Sequence, residues 1–147
     1  KDVEKGEGTL AVVGPSSFDI LSSFFAPLPV ENLGYKIFKW RKDRYTIIKK
    51  ERWGLEGYEI WAEFNALENF NREIKIQTIS KETQEILRIE SKTPVYGIDM
   101  DESNMPQEAN LDYALNFKKG CYVGQEPIAR LHNLGHVNKE LSLISRP

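Results

Sequence analysis

The sequence predicts an α+β fold, in which a mainly antiparallel sheet carries helices on one of its faces. Three observations support this class. Short apolar or alternating segments fill most of the chain before Asn65, and such segments are typical of strands. From Asn65 onward the spacing of apolar residues becomes helical. The composition is that of an ordinary globular chain, with 40% apolar and 29% charged residues among 147.

The first predicted elements are a strand and a helix. The segment TLAVVG, residues 9–14, is short and rich in β-branched residues, as a buried strand is. A helix is expected after it, because Pro15 is tolerated in a first helical turn. Pro27 ends that helix. Its apolar face comprises Phe18, Leu21, Phe24 and Phe25.

Three further strands are predicted before the change of period. YKIFKW, residues 35–40, alternates between two sets of side chains. RYTIIKKERW, residues 44–53, and GYEIWAEF, residues 57–64, continue the strand pattern. The tight GLEG connection between the last two predicts a hairpin.

Two helices are predicted next. Leu67, Phe70 and Ile74 have helical spacing, and Ser80 is a good N-cap for a second helix that ends before Pro94. Residues 95–118 are rich in loop signals.

The remaining elements are a helix and a strand. A helix is expected over residues 125–134, with Gly135 as its C-terminal stop. The segment LSLI, residues 141–144, predicts a last strand.

Charge and cysteine usage limit the classes of partner and compartment. The formal charge is −2 with scattered basic residues, which argues against direct nucleic-acid binding. No apolar run approaches the length of a membrane span, so we expect no membrane partner. A single cysteine fits a reducing compartment, and we expect a cytoplasmic protein. The length fits one domain, residues 1–147. Its abrupt apolar ends predict a piece of a longer protein.

The single cysteine, Cys121, lies in the segment KKGCYVGQE, residues 118–126. Lys118 and Lys119 favour its thiolate form, and a helix beginning near Gln125 would add a positive end. Glu126 opposes both effects. The alternative is that Cys121 is a small buried core residue, as many lone cysteines are.

Other chemistry is weakly supported. His132 and His136 could join Cys121 at a metal only if the helix continued past Gly135, so no metal site is predicted. The acidic residues after Gly97 lack the remaining positions of a calcium-binding loop and are expected to form a solvated turn. No serine sits in the G-x-S-x-G pattern of a hydrolase.

The cysteine segment resembles a family signature. KGCYVGQE, followed by ARL and NKEL, is similar to the motif of the folate-binding YgfZ family, related to the aminomethyltransferase (T-protein) of the glycine cleavage system. The upstream segment beginning LRIE at residue 87, and GLEGYEIW at residues 54–61, resemble the pattern that these proteins share. The resemblance covers about Gly54 to Leu141. It implies a ferredoxin-like portion of the YgfZ/T-protein fold.

The resemblance also implies a function and a cofactor. Proteins of this family bind folate, and the cysteine motif, which true T-proteins lack, favours iron–sulfur cluster assembly or repair over glycine cleavage. The expected cofactor is tetrahydrofolate, and the expected partners are iron–sulfur client or assembly proteins, including radical enzymes that modify tRNA. Family members also carry an N-terminal segment and a C-terminal β-barrel. We therefore expect weak or incomplete folate binding by these residues alone.

The candidate site residues follow from the motif and from charge. Cys121 would be the functional thiol, tuned by Lys119. Glu59 would bind the pterin, because a carboxylate can accept two N–H bonds from such a ring edge. Arg88 would pair with a folate carboxylate. The residues expected to shape the site are Tyr122, Gln125 and Glu126, while Gly120 and Gly124 leave the backbone open.

Each of these assignments has an alternative. Glu59 could be a surface hairpin charge, and Arg88 could form an ordinary helix salt bridge. The whole chain could be a folate-dependent aminomethyltransferase, or an interaction module with a structural cysteine. Whether it is an enzyme is left open by the sequence.

Overall fold

The computed structural model describes residues 6–144, and the chain divides into two compact units, residues 1–79 and 80–147. The first unit contains four strands and two helices. In chain order these are β1 (Glu7–Val13), α1 (Ser17–Ser22), β2 (Tyr35–Trp40), β3 (Asp43–Lys49), β4 (Gly57–Glu63) and α2 (Phe64–Ile74). The elements predicted up to residue 79 are therefore confirmed.

The four strands form one antiparallel sheet in the order β1-β4-β3-β2. Leu10 of β1 lies opposite Ile60 of β4, and Ile60 lies opposite Ile47 of β3. Since side chains alternate between the faces of a strand, these three residues share one face. We call it the core face, and the opposite one the outer face.

The core of the first unit packs on the core face. Leu21 and Phe25 lie in and just after α1, and Phe70 lies in α2; all three are buried in one cluster with the core-face residues. The Phe70 ring meets that of Phe24 edge-on, with the ring centroids 5.2 Å apart. The hydroxyl of buried Tyr45 donates to the carbonyl of Ala66 at 3.1 Å, so its burial leaves no polar group unpaired. The prediction of helices on one face of an antiparallel sheet is thus confirmed for this unit.

The second unit contains α3 (Lys81–Glu90), a short 3-10 helix (Asp112–Ala114) and α4 (Gln125–Leu134). The Ser80 hydroxyl accepts a hydrogen bond from the Thr83 N–H at 3.1 Å, which confirms the predicted N-cap. Within the described part of the chain, none of the helices combines the length and apolar character that crossing a membrane requires.

The predicted last strand, residues 141–144, is wrong. These four residues form no regular structure. The Leu141 N–H donates to the Glu108 carbonyl at 2.9 Å, and the Asn110 side chain donates to the Leu141 carbonyl at 2.7 Å. The polar backbone groups of Leu141 are therefore used by a loop rather than by a strand ladder.

Replacing Phe70 with alanine should destabilise the first unit by about 3–5 kcal/mol, because it removes a fully buried ring from the aromatic cluster. Urea denaturation, followed by tryptophan fluorescence, measures this loss. Phe64→Ala in the same helix is the matched control, since Phe64 is 62% exposed. Equal losses for the two variants would contradict the assignment of the core.

Candidate functional site

The first candidate group is centred on Glu59 in the middle of β4. Tyr58 and Ile60 on either side of it are 1% and 0% exposed and belong to the core. Alternation therefore places the Glu59 side chain on the outer face, between Ala11 of β1 and Ile48 of β3. Although it points away from the core, Glu59 is only 6% exposed. The alternative of a surface hairpin charge is therefore wrong.

The two oxygens of the Glu59 carboxylate have different partners. Oε1 accepts from the Arg52 guanidinium at 2.6 Å and lies 2.9 Å from Lys50 Nζ. Oε2 has one hydrogen-bond donor among the described residues, the Trp61 indole N–H at 3.5 Å, which is long for a hydrogen bond. Oε2 thus keeps the capacity to accept further N–H groups.

These partners keep the carboxylate ionised. Burial by itself would raise the pKa of Glu59, because it removes water from the charged form. The hydrogen bonds from Lys50 and Arg52, with the nearby Lys50 charge and the Trp61 indole, outweigh burial and lower the pKa below its ordinary value. Glu59 is therefore a buried anion, one oxygen of which accepts only a single long hydrogen bond among the described residues.

The connection between β3 and β4 positions Arg52. The Arg52 and Leu55 backbones exchange two hydrogen bonds of 3.0 Å around a two-residue turn. Trp53 and Gly54 in that turn have φ of 56° and 71°. Such a turn favours glycine at its second place, whereas Trp53 holds a conformation that costs an L-residue free energy. The Arg52 guanidinium also lies 5.5 Å from the Trp53 ring centroid.

Arg88 lies in the second unit and is held by two carboxylates. Its Nε and one terminal nitrogen donate to Glu85, and the other terminal nitrogen donates to Asp99 and, at 2.9 Å, to the Thr93 carbonyl. The hydrogen bond to Glu85 raises the pKa of Arg88; burial opposes it, and Asp99 adds to the rise. Four of the five guanidinium N–H groups are thus used within the chain.

The surroundings of Arg88 leave little room for a ligand. Its side chain is 10% exposed, and the cleft beside it has a volume of about 80 Å³. A few waters would fill such a space. The helix ion pair with Glu85 is present as the sequence alternative expected, while the ion pair with Asp99 was missed. Pairing of Arg88 with a folate carboxylate remains a prediction, and it would require release of Glu85 or Asp99.

The second candidate group is the loop that carries Cys121. Cys121 is exposed, so the alternative of a buried core cysteine is wrong. The Asn116 side-chain oxygen accepts from the backbone N–H groups of Lys118 and Lys119, at 2.9 and 3.1 Å, and this closes a turn just before the cysteine. A Cβ added at Gly120 would meet no atom within 4 Å. The backbone beside the thiol is therefore open to an approaching partner.

The residues after the cysteine fix the other side of the loop. Lys119 Nζ lies 4.6 Å from the Tyr122 ring centroid, within range of a cation–π contact. The Gln125 side-chain oxygen accepts from the Tyr122 N–H at 3.3 Å, and Gly124 begins α4 with φ of 83°. Glu126 is exposed in the first turn of α4, where a carboxylate is favourable.

The predicted site residues thus fall into three clusters. Glu59 belongs to the first unit. In the second unit, Lys119 and Gln125 each contact Tyr122 beside the cysteine, and Arg88 belongs to the Glu85–Asp99 cluster. No group of three or more metal-ligating side chains occurs among the described residues. Exposed His132 instead stacks on Phe117, with the ring centroids 4.0 Å apart.

Sequence reasoning missed the partners of Glu59. The strand pattern presents Lys50, Arg52 and Trp61 as ordinary strand residues. A signal was present in KKERW, residues 49–53, because a cationic segment beside a hairpin turn can fold back onto the next strand.

Comparison with known proteins finds relatives but no matching family model. The chain is 31% identical over 123 residues to the aminomethyltransferase of Aquifex aeolicus, covering 82% of this chain and 34% of that protein. It is 28% identical over 140 residues to the aminomethyltransferase of Alcanivorax borkumensis, covering 92% and 39%. It is also 51% identical over 45 residues to the protein of Mycosarcoma maydis named iron-sulfur cluster assembly factor IBA57 homolog, mitochondrial, covering 29% and 11%.

These similarities and the α+β fold define a class of protein. The relatives named aminomethyltransferase and IBA57 homolog support the T-protein-like family for this chain, at low sequence identity over the long matches. It spans between 34% and 39% of the length of the two aminomethyltransferases.

The lowered pKa of Glu59 predicts a pH dependence of stability. A carboxyl whose pKa is lower in the folded state stabilises fully above its unfolded value and loses this contribution as the pH falls through the folded value. Glu59→Gln should therefore unfold at lower urea concentration than the wild type at pH 7. The difference should shrink below the ordinary value of 4.5. Urea titrations of both proteins at pH 7 and at a pH below 4.5 measure this difference in stability.

The matched control for this test is Glu56→Gln, because the Glu56 side chain is 61% exposed and pairs with Lys49 at 3.4 Å. It should change stability by less than about 0.5 kcal/mol at either pH. A difference between wild type and Glu59→Gln that grows on acidification would contradict the geometry described for Glu59.

Proposed function

We propose that this chain is a tetrahydrofolate-binding factor that acts through Cys121 in iron–sulfur cluster assembly or repair. Its clients would include radical enzymes that modify tRNA. The observation that most supports the thiol role is the exposure of Cys121 in an open loop. The similarity to a protein named as an iron-sulfur cluster assembly factor supports the process.

Glu59 is the proposed pterin acceptor. A pterin-type ring edge presents adjacent N–H donors, and a carboxylate is their natural partner. Glu59 fits this requirement because it is buried and ionised, and its Oε2 accepts only one long hydrogen bond among the described residues. When bound, tetrahydrofolate would supply one-carbon chemistry. Lys50 and Arg52 would hold the carboxylate in place and charged.

Cys121 is the proposed functional thiol. Lys119 would support its thiolate, which is the form that attacks disulfides and binds iron. Tyr122 and Gln125 would act as positioning residues, since the Tyr122 N–H and the Gln125 side chain tie the loop to α4. Glu126 would orient the start of α4. Gly120 and Gly124 would admit a partner.

An aminomethyltransferase activity is the second candidate. It is favoured by the two aminomethyltransferases whose matches cover 82% and 92% of this chain. Cys121→Ser separates the candidates in cells that lack this gene. A thiol-dependent factor should lose the ability to restore an iron–sulfur enzyme, whereas a T-protein-type transferase should keep its activity.

Glu59→Gln should weaken tetrahydrofolate binding by about 10- to 100-fold, because it replaces a charged acceptor with a neutral one and loses about 1.5–3 kcal/mol. Calorimetry with reduced folate measures the change. Glu56→Gln, on the same hairpin, should bind like the wild type. Equal affinity of Glu59→Gln and wild type would remove Glu59 from the pterin site.

Cys121 should react with iodoacetamide in the native protein without denaturant, because the thiol is exposed. Lys119→Ala should slow this reaction at pH 7 by about two- to fivefold, the effect of one exposed charge. Mass spectrometry of timed samples gives the rates, and Lys81→Ala in α3 is the control. Labelling only after unfolding would refute the role of Cys121 as an accessible thiol. An unchanged rate in Lys119→Ala would refute the role of Lys119.

A further inference from the structure

The free edge of β2 is a surface that the proposed function does not use. Within residues 6–144, β2 pairs with β3 alone and is the terminal strand of the sheet. The Lys49 N–H donates to the Gly34 carbonyl at 2.9 Å, so the backbone of Gly34 faces β3. Along an antiparallel pair, residues whose backbone groups face the partner strand alternate with residues whose groups face away. The backbone groups of Tyr35, Ile37 and Lys39 therefore point outward, away from β3. They offer a row of N–H and C=O groups to another strand.

The side chains along this edge are apolar at one end. Tyr35 and Ile37 lie on the outer face and are 66% and 48% exposed. An edge strand that is protected from pairing normally carries charges, proline or a bulge. β2 carries two such charges, Lys36 and Lys39, but Lys36 Nζ donates to the Pro27 carbonyl. Tyr35 and Ile37 offer apolar surface beside the outward backbone groups.

The other end of the edge carries an excess of positive charge. Lys39 and Arg44 face each other across the β2–β3 ladder, and both are exposed. No carboxylate lies within ion-pair distance of either in the described residues. Like charges directly opposite each other destabilise a sheet. An incoming carboxylate would relieve this repulsion.

Most other cations of the hairpin already have partners. Arg41 pairs with Glu73 at 2.8 Å, and Lys49 pairs with Glu56 at 3.4 Å. Lys36 Nζ donates to the Pro27 carbonyl at 2.9 Å. The cations of the hairpin without an ion-pair or hydrogen-bond partner in the described residues are therefore Lys39, Arg44 and, in the turn, Lys42.

We propose that the β2 edge binds an extended, acidic peptide segment of another protein as a fifth strand. The backbone of that segment would pair with the outward groups of Tyr35, Ile37 and Lys39. Its acidic side chains would lie against Lys39 and Arg44, and its apolar ones against Tyr35 and Ile37. This recognition is separate from the folate and thiol chemistry proposed above.

A nucleic acid fits this surface less well. Thr46 of β3 lies opposite Trp61 of β4 on the outer face. Arg44 and Glu63 are each two residues away from this pair in their strands, so they lie on the outer face as well. Glu7 lies opposite Glu63. A phosphate backbone that crossed the outer face would meet these carboxylates, whereas a strand along the β2 edge would not.

The test uses the whole chain and an acetylated hexapeptide whose first, third and fifth residues are valine, valine and glutamate, with threonine at the other positions, so that the two valines and the glutamate share one face of the added strand. Titration followed by amide NMR should shift the Tyr35, Ile37 and Lys39 signals and slow the hydrogen exchange of these three amides. Lys39→Glu should weaken binding at least about tenfold, or ~1.4 kcal/mol. Ile37→Pro should abolish binding without breaking the ladder, because the Ile37 N–H points outward. Ile37→Thr, which keeps the N–H, should still bind.

Three results would overturn the proposal. The first is the absence of shifts at these amides up to about 1 mM peptide. The second is equal binding of the same hexapeptide with lysine in place of its glutamate, which would show that charge plays no part. The third is tighter binding of an oligouridine, lost in Lys39→Glu, which would assign the surface to nucleic acid. Should Ile37→Pro fail to fold, the comparison of Lys39→Glu with Lys81→Glu decides the matter.

Discussion

The two-residue alternation of β4 is the constraint on which the Glu59 site depends. β4 is a central strand, paired with β1 on one side and β3 on the other. The core requires Tyr58 and Ile60, so the residue between them must face the other way. A shift of one residue would exchange the two sets and bury Glu59 among the core aromatics. The hydrophobic core thus fixes the position of the carboxylate.

Placing a carboxylate there creates a cost that the neighbouring residues offset. A buried anion is unfavourable unless charges and hydrogen bonds compensate it. The connection between β3 and β4 places Lys50 and Arg52 within ion-pair distance of Glu59 Oε1. In the turn of this connection, Trp53 adopts a positive φ. The backbone strain at Trp53 and the two ion pairs of Glu59 therefore occur together in one connection. Strain of this kind is often found where a site must be held ready for a ligand.

The sequence predicted regular elements better than it predicted partners. Periodicity located the strands and helices because one face of each is buried, and Ser80 and Gly135 marked helix ends through local chemistry. The prediction failed at Leu141, whose backbone is bound by Glu108 and by Asn110, 31 residues away. A pattern in the local sequence cannot reveal such a competitor. For the same reason, the sequence could not show that Asp99 pairs with Arg88. The exposure of Cys121, in contrast, could be predicted from the glycines and lysines around it.

The most direct test of the Glu59 site is the indole N–H resonance of Trp61 during titration with tetrahydrofolate. This N–H lies 3.5 Å from Glu59 Oε2, whereas Trp40 packs with the core on the opposite face. A pterin on Oε2 should therefore shift the Trp61 signal and leave that of Trp40 unchanged. Binding that shifts Trp40, or leaves Trp61 unmoved, would contradict the assignment of Glu59 as the pterin acceptor.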